Sequence, residues 1–303
     1  MSRTFFYPII FLSIILGFLF PVGKGFKILI PVLLALLLFF GFLKTDMGKK
    51  DFCRKEIGLY GINLLLFMPL FSYFAYRNLF SFDYAVGLFL LAVTPTGLSL
   101  TGLIDLVRDG DRKMVVAIIV IFTLFAMVAI PVLTYIFYRR NIRMDLLSLF
   151  FNLILLILVP YITAHIFKKI VPEKILESIN KSSYYINFII LFAIIFVAVS
   201  AARASIVLNY SMFYLFLAVM GIYIFQALSG FFLAHFFDRI HTATFTITCA
   251  SKNTQLALIV ALLNFGDAAT IPCVIGIIGN HLTFSSLLLI FHIRGNKNRI
   301  SGV

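Results

Sequence analysis

The sequence has few charged residues and very few acidic ones. Charged residues make up 12% of the 303-residue chain, and only 12 residues are Asp or Glu, whereas about 25% of a soluble domain is charged. Tryptophan is absent, and the three cysteines, Cys53, Cys249 and Cys273, show neither CxxC nor Cys/His spacing. The composition excludes an ordinary soluble domain, and we expect no metal site, no disulfide framework and no cofactor.

Apolar residues, by contrast, make up 62% of the chain, and the mean hydropathy is +1.08. They form ten runs long enough for a helix to cross a lipid bilayer, without the alternation of an outer-membrane barrel. Because helices then satisfy the backbone in lipid, we predict an all-α polytopic membrane protein. The predicted spans are residues 5–22, 26–43, 57–77, 84–107, 113–137, 146–168, 184–206, 212–236, 241–264 and 270–293.

The basic residues give a net charge of +13 but lie in short gaps between the apolar runs. They form no continuous basic face, so we expect no binding to nucleic acid. With ten spans, both termini share one side of the membrane, which carries 17 of the 25 Lys and Arg residues, while the other side carries seven. The positive-inside rule therefore predicts cytoplasmic N- and C-termini in the inner or plasma membrane.

Ten helices divide into two sets of five, residues 1–140 and 141–303. Because five is an odd number, the second set crosses the membrane in the opposite orientation to the first. Helices 4 and 9, residues 84–107 and 241–264, should then correspond. Both are interrupted, by residues 94–102 (TPTGLSLTG) and 251–255 (SKNTQ). Interruptions at matching positions point to a transporter site, so we predict two inverted repeats with broken helices that cross there. The alternative is that Pro95 and Gly97 only kink a structural helix.

The second interruption provides the strongest candidates for substrate or ion binding. A lysine at mid-depth costs about 3 kcal/mol unless it faces protein or water. The candidates here are Ser251, Lys252, Asn253, Thr254 and Gln255, although the last three could also bond backbone groups freed by the interruption.

The first interruption and its surroundings add further candidates. Thr96, Ser99 and Thr101 belong to the interruption itself. Asp105, one turn after Thr101, is either a partner of Lys252 or an interfacial residue. His281 is either a ligand or a hydrogen-bonded core residue.

Five short stretches add a resemblance to this pattern. They are residues 16–21 (LGFLFP), 68–69 (MP), 86–97 ending in TPTG, 251–257 (SKNTQLA) and 280–283 (NHLT). In this order they resemble the bile acid:sodium symporter family over nearly the whole chain. The resemblance implies a panel domain of helices 1, 2, 6 and 7 and a core domain of helices 3–5 and 8–10. It also implies a small organic anion bound between the domains, often with sodium coupling.

The resemblance also implies where sodium ligands would lie, and this sequence departs from the family there. The positions of the first sodium site are occupied by Leu100, Thr101, Val115, Ile119 and Thr248. They carry too few oxygens for a hard cation, which binds about six. Asn63 lies one residue away from the position in helix 3 where members of the family have a glutamine.

Lys252 stands where the family has a glutamine of the second sodium site. Its ammonium can take the place of the ion, bond the carbonyls freed by the interruption and repel sodium. Beside a half-helix N-terminus it also suits a carboxylate. Burial disfavours the charged form of a lysine, so Lys252 could release a proton in each cycle, or it could be a permanently charged structural plug.

We therefore expect a secondary transporter of small organic anions, sodium-independent or proton-coupled. Relatives that resemble this chain handle 2-oxo acids, pantoate and other anions. The alternatives are a sodium-coupled symporter with altered ion sites and a sensor or scaffold without transport. A cation/proton antiporter would need a carboxylate pair where only Asp105 is available. The apolar spans contain no catalytic constellation, so we expect no enzyme.

Overall fold

The computed structural model describes residues 6–45, 54–104, 107, 110–139, 146–203, 210–236 and 241–300. Asp105 lies outside these residues. Within them the regular secondary structure is entirely helical, which agrees with the predicted class. The helices are α1 (Phe6–Leu19), α2 (Gly23–Phe26), α3 (Leu29–Leu43), α4 (Arg54–Ile62), α5 (Met68–Tyr76), α6 (Phe82–Val93), α7 (Leu100–Leu103), α8 (Arg112–Tyr138), α9 (Leu146–Leu153), α10 (Val159–Ile170), α11 (Glu173–Ala202), α12 (Tyr210–Phe236), α13 (Thr242–Ala250), α14 (Thr254–Asn264) and α15 (Asp267–Ile300).

Many of these helices are long and apolar enough to lie in a membrane. Within the described ranges, seven segments can cross it by length and composition, and two shorter apolar helices, Leu29–Leu43 and Phe82–Val93, accompany them. The protein is therefore a polytopic membrane protein. One predicted boundary differs clearly, since α11 begins at Glu173 and not near residue 184. Its first three turns are rich in Lys, Glu and Ser, so hydropathy does not detect them although they continue the helix.

Two of the long segments contain a π-helical turn just before a proline. Residues Asn63–Phe67 connect α4 to α5, and residues Ile154–Leu158 connect α9 to α10. Pro69 and Pro160 follow these turns. Because proline has no N–H and its ring clashes with the carbonyl four residues earlier, the wider π turn accommodates it without ending the helix.

The helices pack in two groups. In the first, α11 packs against α1 and α3, and α3 packs against α10. In the second, α12 packs against α13, and α6 and α14 pack against α15. The contact between α6 and α15 needs glycine, because a Cβ at Gly87 would lie 2.3 Å from the Ala269 carbonyl oxygen. Both interrupted segments, α6–α7 and α13–α14, belong to the second group.

The α13–α14 segment defines two opposite ends of the molecule. At its start, His241 Nε2 lies 4.0 Å from a carboxylate oxygen of Asp111, just before α8. At its other end, Gly266 turns the chain into α15 with a φ of 95°, a conformation that favours glycine. Asp267 follows directly. We call these ends the His241 face and the Asp267 face.

Candidate functional site

The first break separates α6 from α7. Pro95 cannot donate to the Leu91 carbonyl as a helical residue would, and Thr94 before it is extended, with φ −70° and ψ 142°. The Thr94 hydroxyl donates to the Leu91 carbonyl instead, at 3.1 Å. The next carbonyl, of Ala92, has Gln226 Nε2 at 3.5 Å. Side chains thus replace the donors that the end of α6 has lost.

The second break separates α13 from α14, and its freed N–H groups also find partners. Lys252 N donates to Asn280 Oδ1 on α15 at 3.0 Å, and Asn253 N donates to the Pro95 carbonyl at 2.8 Å. The Asn253 side chain caps α14 by accepting from Leu256 N at 3.1 Å. The bond from Asn253 to Pro95 brings the two breaks into direct contact, as expected for a crossing.

Tyr60 of α4 forms hydrogen bonds with the first break. Thr96 N donates to the Tyr60 hydroxyl at 2.8 Å, and the Thr96 hydroxyl donates to the Thr248 carbonyl at 2.6 Å. Tyr60 therefore donates its own proton to Thr96 Oγ1, 2.7 Å away. In an unbroken helix, the Thr248 carbonyl would accept from Lys252 N. The hydrogen bonds from Tyr60 through Thr96 to Thr248 therefore connect the first break to the end of α13.

The crossing leaves little space at Gly97. A Cβ there would lie 3.1 Å from the Lys252 carbonyl oxygen and 3.5 Å from Asn253 Cα. The backbone of the first break thus lies almost directly on the backbone of the second, and glycine permits this approach.

The Lys252 side chain is only 3% exposed and reaches a small pocket beside the crossing. In the part of the chain that the structure describes, its ammonium makes no hydrogen bond or ion pair. The pocket has room for about one water molecule. It is lined by Gly97, Ser99, Leu100, Ser251, Lys252, Asn280, His281 and Phe284, of which five are polar.

Two carbonyls at the breaks have partners other than the Lys252 ammonium. We expected the Lys252 ammonium to bond the carbonyls that the break frees. The Pro95 and Thr248 carbonyls are instead satisfied by Asn253 N and the Thr96 hydroxyl. Because the protein supplies these donors itself, the ammonium is left for another partner.

The positions that would hold the first sodium ion offer no free ring of oxygens. The Thr101 hydroxyl donates to the Leu98 carbonyl at 2.8 Å, and the Thr248 hydroxyl donates to the Thr244 carbonyl at 2.7 Å. Both hydroxyls thus bond back within their own segments. Val115 and Ile119, the other two positions, are fully buried aliphatic residues.

Seven of the predicted site residues lie at the pocket or at the contact between the two breaks. Ser99, Ser251, Lys252 and His281 line the pocket, whereas Thr96, Thr248 and Asn253 hold the crossing together. Thr254 and Gln255 begin α14, and Thr101 caps its own turn. Asn63 lies in a π turn and accepts a hydrogen bond from Ser229 at 2.8 Å.

Sequence reasoning missed two residues of the crossing. Asn280 belongs to the stretch 280–283 but had no predicted role, although it accepts a hydrogen bond from Lys252 N. Tyr60 gave no signal, because a tyrosine near the end of an apolar run is typical of the membrane interface. Within the described ranges, no three His, Cys, Asp or Glu side chains gather as metal ligands would.

Comparison with known proteins identifies a family. The family model for the Sodium Bile acid symporter family matches residues 28–209, more than half of the chain. This region includes the first break and ends before Lys252 and the second break. A search of curated proteins finds no significant match. Matching over most of its length, with membrane-spanning helices, the chain belongs to the sodium bile acid symporter family of transmembrane transporters.

Proposed function

We propose that the protein is a secondary transporter of small organic anions in which Lys252 takes the place of the sodium ion. One observation carries the proposal: Lys252 is 3% exposed and reaches a polar pocket, while its ammonium has no partner in the described residues. A buried ammonium is strongly destabilised without an opposite charge. A substrate carboxylate would supply that charge.

The surroundings of Lys252 suit a carboxylate. The N-terminus of α14 begins at Thr254, two residues away, and helix N-termini favour negative charge. Ser99 and Asn280 line the same pocket and can donate hydrogen bonds to carboxylate oxygens. Phe284 gives the pocket an apolar wall against which an organic group can pack.

The same geometry disfavours sodium. A cation in the second sodium position would lie within a few ångströms of Lys252, where two like charges repel by several kcal/mol at an effective dielectric constant of about 20. At the first position only Thr101 and Thr248 carry a side-chain oxygen, since Leu100, Val115 and Ile119 are aliphatic, whereas a hard cation binds about six oxygens. Transport is therefore independent of sodium in this proposal.

The packing supports a two-domain architecture with ten spans in two inverted repeats. The spans would be α1, α3, α4–α5, α6–α7, α8, α9–α10, α11, α12, α13–α14 and α15. The contacts of α11 with α1 and of α3 with α10 are equivalent under inversion, and both lie within the proposed panel. The core would comprise the remaining spans. Alternating access then follows from rocking of the core against the panel, with both termini in the cytoplasm.

The return of an empty, charged site through the cycle would be unfavourable. In our proposal Lys252 releases its proton when the anion leaves and is protonated again before the next anion binds. Transport would thus move the anion together with a proton. This coupling distinguishes the proposal from the plug hypothesis, in which the lysine stays charged throughout.

The test combines binding with flux. Purified protein is screened by thermal unfolding with cholate, pantoate and pyruvate, in sodium chloride and in potassium chloride, for wild type and Lys252→Gln. We expect at least one anion to stabilise wild type equally in both salts, and sodium alone to stabilise only the variant. Uptake of that anion into proteoliposomes should persist in potassium and increase with an inward proton gradient.

Other results would contradict the proposal in distinct ways. Strict sodium dependence of uptake would favour a symporter with altered ion sites. Anion binding without any flux would favour a sensor or scaffold.

A further inference from the structure

An ion pair joins the two groups of helices at the Asp267 face. Lys27 Nζ lies 2.5 Å from Asp267 Oδ1, across 240 residues of sequence. Lys27 lies between α2 and α3 in the first group, and Asp267 is the first residue of α15 in the second. The two side chains are 32% and 28% exposed, so the pair lies at the edge of the protein and not within its core.

The Lys27 side of the pair is fixed to α11. The Ser200 hydroxyl of α11 accepts from Gly23 N at 2.8 Å and donates to the Phe20 carbonyl at 2.5 Å. A Cβ at Gly23 would lie 2.4 Å from the Val197 carbonyl oxygen, so α2 rests directly on α11. Lys27 therefore moves with the first group of helices.

The Asp267 side is fixed to the candidate site. The Thr270 hydroxyl donates to the Asp267 carbonyl at 2.6 Å and holds the first turn of α15. His281 follows 14 residues later on the same helix, about 21 Å along its axis. The helix α15, which contains Pro272, thus connects the ion pair to the pocket.

The two sides of the crossing differ in exposure among the described residues. Ser99 is the exposed residue of the pocket lining, and it lies on the α7 side, from which the chain continues to Asp111. On the other side of the crossing, the turns of α6 and α14 next to the breaks, residues 85–93 and 256–261, are buried. This difference suits a site that is reached from the His241 face and closed toward the Asp267 face.

We propose that the Lys27–Asp267 pair is a latch that keeps the anion site closed toward the Asp267 face and must break for the site to face that side. This inference rests on the proposed alternating access. A partly exposed ion pair suits such a role, because it contributes little stability and water can replace it. Its two residues belong to different groups of helices, which also pack against each other where α11 meets α15, and these are the groups that must separate in the proposed cycle.

The test measures which face of the membrane reaches the pocket, and it needs no substrate. Ser99→Cys is placed in a Cys53→Ser background, where the remaining thiols, Cys249 and Cys273, are buried. Right-side-out and inverted vesicles are treated with a membrane-impermeant maleimide. With the latch intact, labelling should come almost entirely from the His241 face.

Neutralising either partner should raise labelling from the Asp267 face. We expect an increase of about five-fold in Lys27→Gln and in Asp267→Asn, the ratio that corresponds to about 1 kcal/mol for an exposed pair. Lys27→Gln leaves the start of α15 unchanged, so it separates loss of the pair from damage to that helix. Asp267→Glu keeps the charge and should label as wild type does.

Asp83 provides a matched control. It is an acidic residue in the first turn of α6, near the same face, because Gly87 one turn later contacts Ala269 of α15. Asp83→Asn should leave labelling unchanged. Unchanged labelling in both neutralised variants, or an equal increase in Asp83→Asn, would overturn the latch. Latch-dependent labelling in a protein that carries no anion would instead refute the proposed transport and leave the latch standing.

Discussion

Replacing Lys252 by methionine tests the proposed site most directly. Methionine has a similar length and volume and no charge, so it fills the same space without needing a partner. Lys252 is 3% exposed and its amino group has no partner among the described residues, so burying it costs free energy in the anion-free protein whether it stays charged or gives up its proton. We expect Lys252→Met to stabilise the anion-free protein by about 1–3 kcal/mol.

For a protein of 303 residues, that gain corresponds to a rise in Tm of about 2–5 °C. The chain has no tryptophan, but Cys249 and Cys273 are buried free thiols, so a thiol-reactive dye reports unfolding. The experiment uses a Cys53→Ser background. Lys174→Met is the control, because Lys174 is an exposed lysine at the start of α11, where substitution should change stability by less than about 0.5 kcal/mol.

The same measurement distinguishes the two roles considered for Lys252. A structural plug predicts that methionine lowers Tm, because the ammonium would then hold the crossing together. An anion site predicts that methionine raises Tm and abolishes stabilisation by any anion that stabilises wild type. A lower Tm in Lys252→Met, or anion stabilisation equal to that of wild type, would refute our reasoning.

Two further predictions concern the crossing. Tyr60→Phe leaves Thr96 N–H buried without a partner, so the free energy of unfolding should fall by about 1–3 kcal/mol, measured with the same dye assay. Gly97→Ala places a Cβ 3.1 Å from the Lys252 carbonyl oxygen, so the two breaks must move apart by a few tenths of an ångström, and anion uptake should fall.

Each of these substitutions has a control elsewhere in the chain. Tyr223→Phe removes a hydroxyl that donates to the Gly276 carbonyl at 2.7 Å, away from the breaks, and should cost less than Tyr60→Phe. Gly58 has no atom within 4 Å of an added Cβ, so Gly58→Ala should leave uptake unchanged. Equal effects in a substitution and its control would contradict a special role for the crossing.

The class of fold and the positions of both breaks could be predicted from the sequence. Long apolar runs leave the backbone only one arrangement in lipid. Pro95 removes a helical donor, and residues 251–255 would cost too much in an unbroken, lipid-facing helix. These properties depend only on residues close together in the chain, so they can be recognised in a single sequence.

The partners of the freed backbone groups could not be predicted in the same way. Thr96 is separated by 36 residues from Tyr60 and by 152 from Thr248, and Lys27 by 240 from Asp267. Any buried hydroxyl or amide could have satisfied these groups, and composition does not distinguish among them. For the same reason, the sequence did not indicate that Asn253 N and the Thr96 hydroxyl would donate to the Pro95 and Thr248 carbonyls.

The two breaks occupy matching positions but differ in charge, and this difference predicts the charge of the substrate. The first break is closed by neutral groups from Tyr60 and Gln226, whereas the second leaves one ammonium, on Lys252. A monocarboxylate neutralises that charge. A dicarboxylate would leave one buried negative charge unpaired, which is strongly unfavourable.

Pyruvate should therefore raise Tm more than oxaloacetate, which carries the same 2-oxo acid group with one carboxylate more. In Lys252→Met neither should have an effect, because the ammonium that pairs with the carboxylate is gone. Stronger stabilisation by oxaloacetate would require a second cation at the site. Since Asn280 and His281 are the remaining polar residues on the α15 side of the pocket, a protonated His281 would then be the group to substitute.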